Sequence, residues 1–210
     1  LDRVLFLDSD MFVMDDLAEL WEIPLKQHTV GACRDVAVPF CSGPRGVGCW
    51  RELGIPRAAP YFNGGMLVID LAQWRKGEIT PKVLDYIEKS PVRLSFLHQE
   101  AMNAILWNDW QPLDARWNLL ASYSGRSFER SPSSAWRNPG IVHFSGRMKP
   151  WRMQLGGSFY GPYKRLLDEI TPLFPAPAST LGDKLCGLYD RRFRHVLFPF
   201  EQFLFRRRLL

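Results

Sequence analysis

The sequence lacks any apolar run of the roughly eighteen to twenty residues that a membrane-spanning helix requires, so no such helix is expected. Cysteine is scarce: Cys33, Cys41, Cys49 and Cys186 are the only four, and no two form a C-x-x-C pair. Their spacing excludes the common zinc motifs and speaks against a disulfide framework in a chain of 210 residues, which makes a reducing compartment the default. No internal repeat marks a solenoid or propeller. The chain opens directly in the apolar run Val4-Leu5-Phe6-Leu7 without a methionine; this opening does not read as a signal peptide, and a part further upstream is expected. Most of the sequence also lacks net charge. Residues 191–210 hold six arginines against one acid, while the other 190 residues carry 21 basic and 21 acidic side chains. The isoelectric point near 9.2 therefore belongs to a tail, and a nucleic-acid-binding body is not expected. A basic tail interleaved with Phe193, Phe198, Phe200, Phe203 and Phe205 fits an anionic membrane surface, or a C-terminal helix packed on the body.

What is present is a core. Hydrophobic residues make up 46% of the chain, enough to exclude wholesale disorder. Val4–Leu7 reads as a central parallel strand buried on both faces, and Val30–Cys33, Met66–Ile69 and Ile141–Phe144 read as further strands. Helices are predicted over 16–22 with Asp15 or Asp16 as cap, from Leu71, from Thr80-Pro81 with Pro81 at the first helical position and running to about Lys89, over 95–107, and over 160–170. Residues 39–60 read as a surface loop long enough to be functional, 110–117 as irregular or extended, and 122–140 as a further loop. Strands alternating with helices indicate an α/β sheet. The organisation expected is one domain over 1–175 and a basic, aromatic tail over 176–210.

Four constellations could carry chemistry. In Asp8-Ser9-Asp10 the two acids, two apart on extended backbone, point the same way at the C-terminal end of a strand, where open α/β sheets bind ligands. Adjacent carboxylates repel and suit a hard cation such as Mg²⁺ or Mn²⁺, although a strand-terminal acid in a turn looks the same. In His143-Phe144-Ser145-Gly146-Arg147-Met148-Lys149-Pro150-Trp151, the histidine could add a nitrogen ligand favouring Mn²⁺, the glycine could admit an anion and the lysine could meet phosphate. Taken alone, a satisfied histidine beside a surface lysine explains it as well. Asn63-Gly64-Gly65 fits a hairpin turn or a carboxamide offered to sugar hydroxyls. His98-Gln99-Glu100 with Asn103 places polar groups on one face near a helix start, which ordinary helix-terminal polarity also produces.

Taken in order, RVLFLDSD, YFNGGMLVIDLAQWR, LHQEAMNAIL and VHFSGRMKPW resemble family 8 glycosyltransferases, the glycogenin-like and lipopolysaccharide galactosyl- or glucosyltransferase-like enzymes of the GT-A fold, over roughly residues 3–152. The resemblance implies a Rossmann-like α/β fold and retaining transfer of a hexose from a UDP-sugar to a saccharide or glycolipid acceptor. It implies that Asp8, Asp10 and His143 hold Mn²⁺ or Mg²⁺, that Gly146 and Lys149 meet the donor diphosphate, that Ser9 also binds the donor, and that Asn63, Gly64 and His98 line the sugar site. Gln99 would lie near the anomeric carbon and, with Asp10, be catalytic. Relatives usually show Asp-Gln-Asp where this chain has His98-Gln99-Glu100, and a shifted helix register would let Glu100 take over the acid's contact. The first nucleotide-binding strands precede D-x-D in relatives, so uracil and most ribose contacts are expected from an upstream part. A cytoplasmic protein, peripheral on the inner membrane surface, is expected. The rival readings are a haloacid dehalogenase-type phosphatase built on Asp8 and Asp10, against which Phe12 stands where that pattern wants Thr or Val, and a non-catalytic carbohydrate-binding relative.

Overall fold

The computed structural model describes residues 1–90, 94–121, 134–146, 149–150 and 159–170. The chain divides into two compact units. The first comprises Leu1–Ser9 and Asp15–Asn118; the second comprises Asp10–Met14 and the described residues from Leu119 on.

The first unit is built on a four-stranded sheet in the order β1-β4-β3-β5, with β1 over Arg3–Leu7, β3 over Val30–Arg34, β4 over Phe62–Asp70 and β5 over Trp110–Pro112. β4 is the centre. Eight of its nine residues are buried, which is what its continuous apolar run with small glycines requires. β1 and β3 both pair antiparallel to β4, and only β5 runs parallel to its neighbour. The expectation for Val4–Leu7 is thus corrected. Among the described residues β1 pairs with β4 alone, antiparallel, and Phe6 is 41% exposed. A short apolar run looks the same whether it lies at the centre of a sheet or at its end.

Four helices flank the sheet: α1 over Ala18–Glu22, α2 over Leu71–Lys76, α3 over Ile79–Lys89 and α4 over Leu97–Leu106. Asp70 caps α2 by accepting the amide of Gln73 at 2.9 Å, and Asp16 accepts the amide of Ala18 at 2.8 Å at the start of α1. α3 begins one residue before Thr80, after Glu78 in the left-handed conformation, so Pro81 stands third in the helix rather than first. It is still within the first turn, where its missing N–H costs nothing. Val30, Ala32, Phe62, Leu67 and Ile69 of the sheet pack with Ile79, Met102, Leu106 and Trp110 in one core.

Residues 39–60 are more than a surface loop. A bridge between Phe40 and Pro60 closes their base, and Val38, Cys41, Val47, Ile55, Ala59, Tyr61 and Ala104 form a second buried cluster. Apolar residues spaced irregularly among prolines and glycines carry no period, so the sequence pattern hides this core. Cys33, Cys41 and Cys49 are free thiols.

The second unit holds a three-stranded sheet, β2-β7-β6, with β2 over Met11–Val13, β6 over Leu119–Leu120 and β7 over Ile141–His143. β7 pairs antiparallel to β2 and parallel to β6. Two helices accompany it: α5 over Ser134–Arg137, inside the stretch expected to be all loop, and α6 over Tyr160–Ile170. Leu119, Ala135, Val142, Phe144 and Phe159 form its core. The basic tail over 176–210, Cys186, Trp151 and residues 122–133 of the expected loop lie outside the described residues. Among the described residues no helix is long and apolar enough to cross a membrane.

Candidate active site

In the second unit, the three-residue strand β2 makes the site. Its register sets Met11 against His143, and the Phe144 amide donates to the Asp10 carbonyl at 2.9 Å. Asp10 and His143 are thus brought side by side by the ladder, although 133 positions separate them in the chain. His143 Nε2 lies 3.1 Å from Asp10 Oδ1. Lys149 Nζ contacts the other carboxylate oxygen of Asp10 and donates to the Phe144 carbonyl at 2.8 Å. Gly146, between them, has φ +86°, a left-handed turn that favours glycine, and is open to solvent. Burial works against ionisation of Asp10, but hydrogen bonds and charge from His143 and Lys149 outweigh it and hold the carboxyl at about 2. Asp10 is therefore a carboxylate at any physiological pH.

A half-buried carboxylate beside an imidazole nitrogen is a donor pair that could hold a divalent cation, and the ammonium already lying on Asp10 shows that the position favours positive charge. Asp8 and exposed Ser9 precede Asp10 directly; the Asp8 amide donates to Gly65 at the end of β1, at 2.8 Å.

In the first unit, a second polar cluster forms where the β3–β4 register shifts between Ala32 and Arg34. The shift disturbs the ladder beside Phe62–Gly65, and side chains of α4 take its place. Asn103 Oδ1 accepts the Phe62 amide and its Nδ2 donates to the Phe62 carbonyl, both at 2.9 Å. Gln99 Oε1 accepts the Gly64 amide at 2.8 Å. Ordinary helix-terminal polarity is thus excluded, since Gln99, Glu100 and Asn103 are all buried and bonded. So is the hairpin reading of Asn63-Gly64-Gly65, because these residues lie inside β4.

Asp35, 4% exposed, is the hub of this cluster and escaped the sequence reading. Its Oδ1 accepts the amides of Ala37 and Val38 at 2.7 and 3.0 Å. Its Oδ2 accepts Asn63 Nδ2 at 2.9 Å and Gln99 Nε2 at 3.2 Å. The signal was available: Asp35 follows a buried strand by one residue, just as Asp8 follows β1. Asn63 Oδ1 is taken by the amide of Gly65 and by Asn118, a second residue the sequence did not single out, so one amide proton of Asn63 is all it can offer outward. His98 is exposed on the first turn of α4. Glu100 is turned to backbone amides. It is 1% exposed, and its two oxygens accept the amides of Gly48 at 3.0 Å and Ser95 at 2.7 Å.

The fold is that of the GT-A glycosyltransferases: galactosyltransferase LgtC, solved with donor and acceptor sugar analogs, superposes with a TM-score of 0.64 at 24% identity over 80% of this chain and 62% of that one. The sequence model described as glycosyl transferase family 8 matches residues 1–154, and the chain belongs to that family. General stress protein A of Bacillus subtilis is 33% identical over 158 residues, covering 71% of this chain and 52% of that protein. Probable galacturonosyltransferase-like 3 of Arabidopsis thaliana is 31% identical over 157 residues, covering 71% and 45%. The chain thus spans about half the length of these relatives.

Proposed function

We propose that the whole protein is a metal-dependent, retaining hexosyltransferase that moves glucose or galactose from a UDP-sugar to a saccharide or glycolipid acceptor. Membership of family 8 supports transfer, and the observation that carries the metal-dependent reading is the placement of Asp10 against both His143 and Lys149. Family membership also displaces the phosphatase reading.

In this reading Asp8, Asp10 and His143 hold a divalent cation, with Mn²⁺ favoured by the imidazole nitrogen. Such a cation would supply Lewis acidity toward the charge that develops on a leaving diphosphate. Lys149 adds a fixed ammonium where that negative charge develops, and its bond to the Phe144 carbonyl holds it there in advance. Gly146 leaves room for phosphate oxygens to approach the backbone. Asn63, Gly64 and Gln99 border the hexose, with Asp35 holding the two carboxamides in one orientation. His98 replaces the usual acid and bears on which sugar is accepted. The acceptor hydroxyl attacks from the face the diphosphate leaves, which retains configuration. Incubating the whole protein with a panel of UDP-sugars should give turnover with Mn²⁺ that EDTA abolishes; turnover indifferent to metal would sink the metal-dependent reading.

Gly64 supplies a sharper test of the sugar-facing residues. A Cβ added there would lie 3.0 Å from Met102 Cε and 3.3 and 3.4 Å from Gln99 Cβ and Cγ. Gly64→Ala is expected to cost about 1 kcal/mol of stability, because Met102 can yield. Displacement of Gln99 should lower kcat by about tenfold, well beyond what that stability loss explains. Thermal unfolding and steady-state kinetics of the variant separate the two effects, and an unchanged kcat would remove Gln99 from the reaction.

A further inference from the structure

Tyr61, directly before β4, is completely buried in the cluster that closes residues 39–60. Its backbone is well used: the carbonyl accepts the Asp35 amide at 3.0 Å, and the amide donates to Pro39 at 3.3 Å. Its hydroxyl is the one buried side-chain oxygen or nitrogen among the described residues without a hydrogen-bond partner of good geometry. Phenylalanine would fill the same volume without the cost of desolvating a hydroxyl, so packing alone does not explain a tyrosine here.

The surroundings of the hydroxyl suggest its use. It faces the Gln99 carboxamide, with the carboxylates of Asp35 and Glu100 also acting on it, and burial pushes its ionisation far above the ordinary range. Gln99 has four hydrogen-bonding capacities, two lone pairs on Oε1 and two protons on Nε2. Gly64 occupies one lone pair and Asp35 takes one proton. One lone pair and one proton remain, and which of them meets a substrate decides whether Gln99 presents an acceptor or a donor.

We infer that Tyr61 is a positioning residue whose hydroxyl oxygen takes the second Nε2 proton of Gln99 when a sugar occupies the site, leaving the free lone pair of Oε1 as the group Gln99 presents. The inference rests on the transferase reading above, and deepens it by assigning the polarity of the sugar-facing group to a residue that does not itself touch the sugar.

The test compares the whole wild-type protein with Tyr61→Phe and Gln99→Ala, with Mn²⁺ and whichever UDP-sugar the wild type turns over. Tyr61→Phe removes a buried hydroxyl that lacks a partner, so its melting temperature should equal or exceed that of the wild type. Its kcat should fall by roughly tenfold with KM little changed, as for an interaction made chiefly in the transition state. Gln99→Ala should fall at least as far, and Tyr61→Phe added to it should do nothing more. Equal kcat for Tyr61→Phe and wild type overturns the inference, and so does a lowered melting temperature with kcat and KM impaired together, which marks a packing role. Absence of UDP-sugar turnover by the wild type overturns the transferase reading and the Tyr61 assignment with it. Full wild-type turnover beside an unaffected Tyr61→Phe overturns the Tyr61 assignment alone.

Discussion

Asp10→Ala should lower Mn²⁺-dependent transfer on the order of a thousandfold, while leaving the protein folded. Three things happen at once in the variant. The proposed cation loses a carboxylate oxygen, His143 loses the group 3.1 Å from its Nε2, and Lys149 loses the carboxylate that it contacts. The last two changes raise the local positive charge, so the variant should bind Mn²⁺ more weakly even where a diphosphate is present. Stability should change little, because the β2–β7 ladder that carries the residue uses backbone groups: the Asp10 carbonyl accepts the Phe144 amide whatever its side chain. Asp10→Asn discriminates further. It keeps the shape and one neutral oxygen, and should recover a small part of the rate at raised Mn²⁺. Isothermal titration with Mn²⁺ and turnover of the preferred UDP-sugar measure both quantities. Near-normal Mn²⁺-dependent transfer by Asp10→Ala would exclude Asp10 as a ligand.

Asn103→Ala should cost about 3 kcal/mol or more of folding stability, the largest loss expected from any single polar substitution in the first unit. Asn103 is fully buried, and three hydrogen bonds fix it: two to the backbone of Phe62 and one to the Gln99 carbonyl. Removing the carboxamide strips both backbone groups of Phe62 of these partners at a point where the β3–β4 register has shifted, and Phe62 is itself 0% exposed. Each buried group left unmet costs about 1–3 kcal/mol, and the vacated volume adds to that. Urea denaturation of the whole protein should show a lower midpoint with an unchanged slope. A loss under about 1 kcal/mol would mean that Phe62 finds other partners and that α4 does not carry the strand. Because Gln99 sits one turn earlier on the same helix, surviving activity should fall as well.

The two predictions mark how differently parts of the site were legible. Asp8 and Asp10 could be read because an acid at the end of an apolar run is a local pattern, and His143 with Lys149 because the motif around them resembles a family. The contact between Asp10 and His143 could not, since it depends on β2, whose three residues are too few to show a period. Gln99 and Asn103 were visible as polar residues on one helix face, but helix spacing does not say that such a face is buried. Only the shifted register of β3 on β4, which leaves backbone groups in want of partners, turns them inward. Asp35 shows the opposite case. Its position just after a buried strand is as informative as that of Asp8, but no second acid stands beside it to complete a pattern.

The sequence by itself determined the family, the α/β class and most strands and helices, because apolar runs, turn residues and motif order are local properties of the chain. The tertiary structure decided the pairing directions and the company each side chain keeps. Among the described residues it paired the strand before Asp8 with β4 alone, and antiparallel rather than parallel. It engaged both carboxylate oxygens of Glu100 with backbone amides. It also gathered Asn63 and Gln99 on Asp35 from three separate stretches of chain. The physical reason is the same throughout: a polar group taken out of water must find a partner, and which partner is within reach is settled by the packing of strands and helices, which no short stretch of sequence contains.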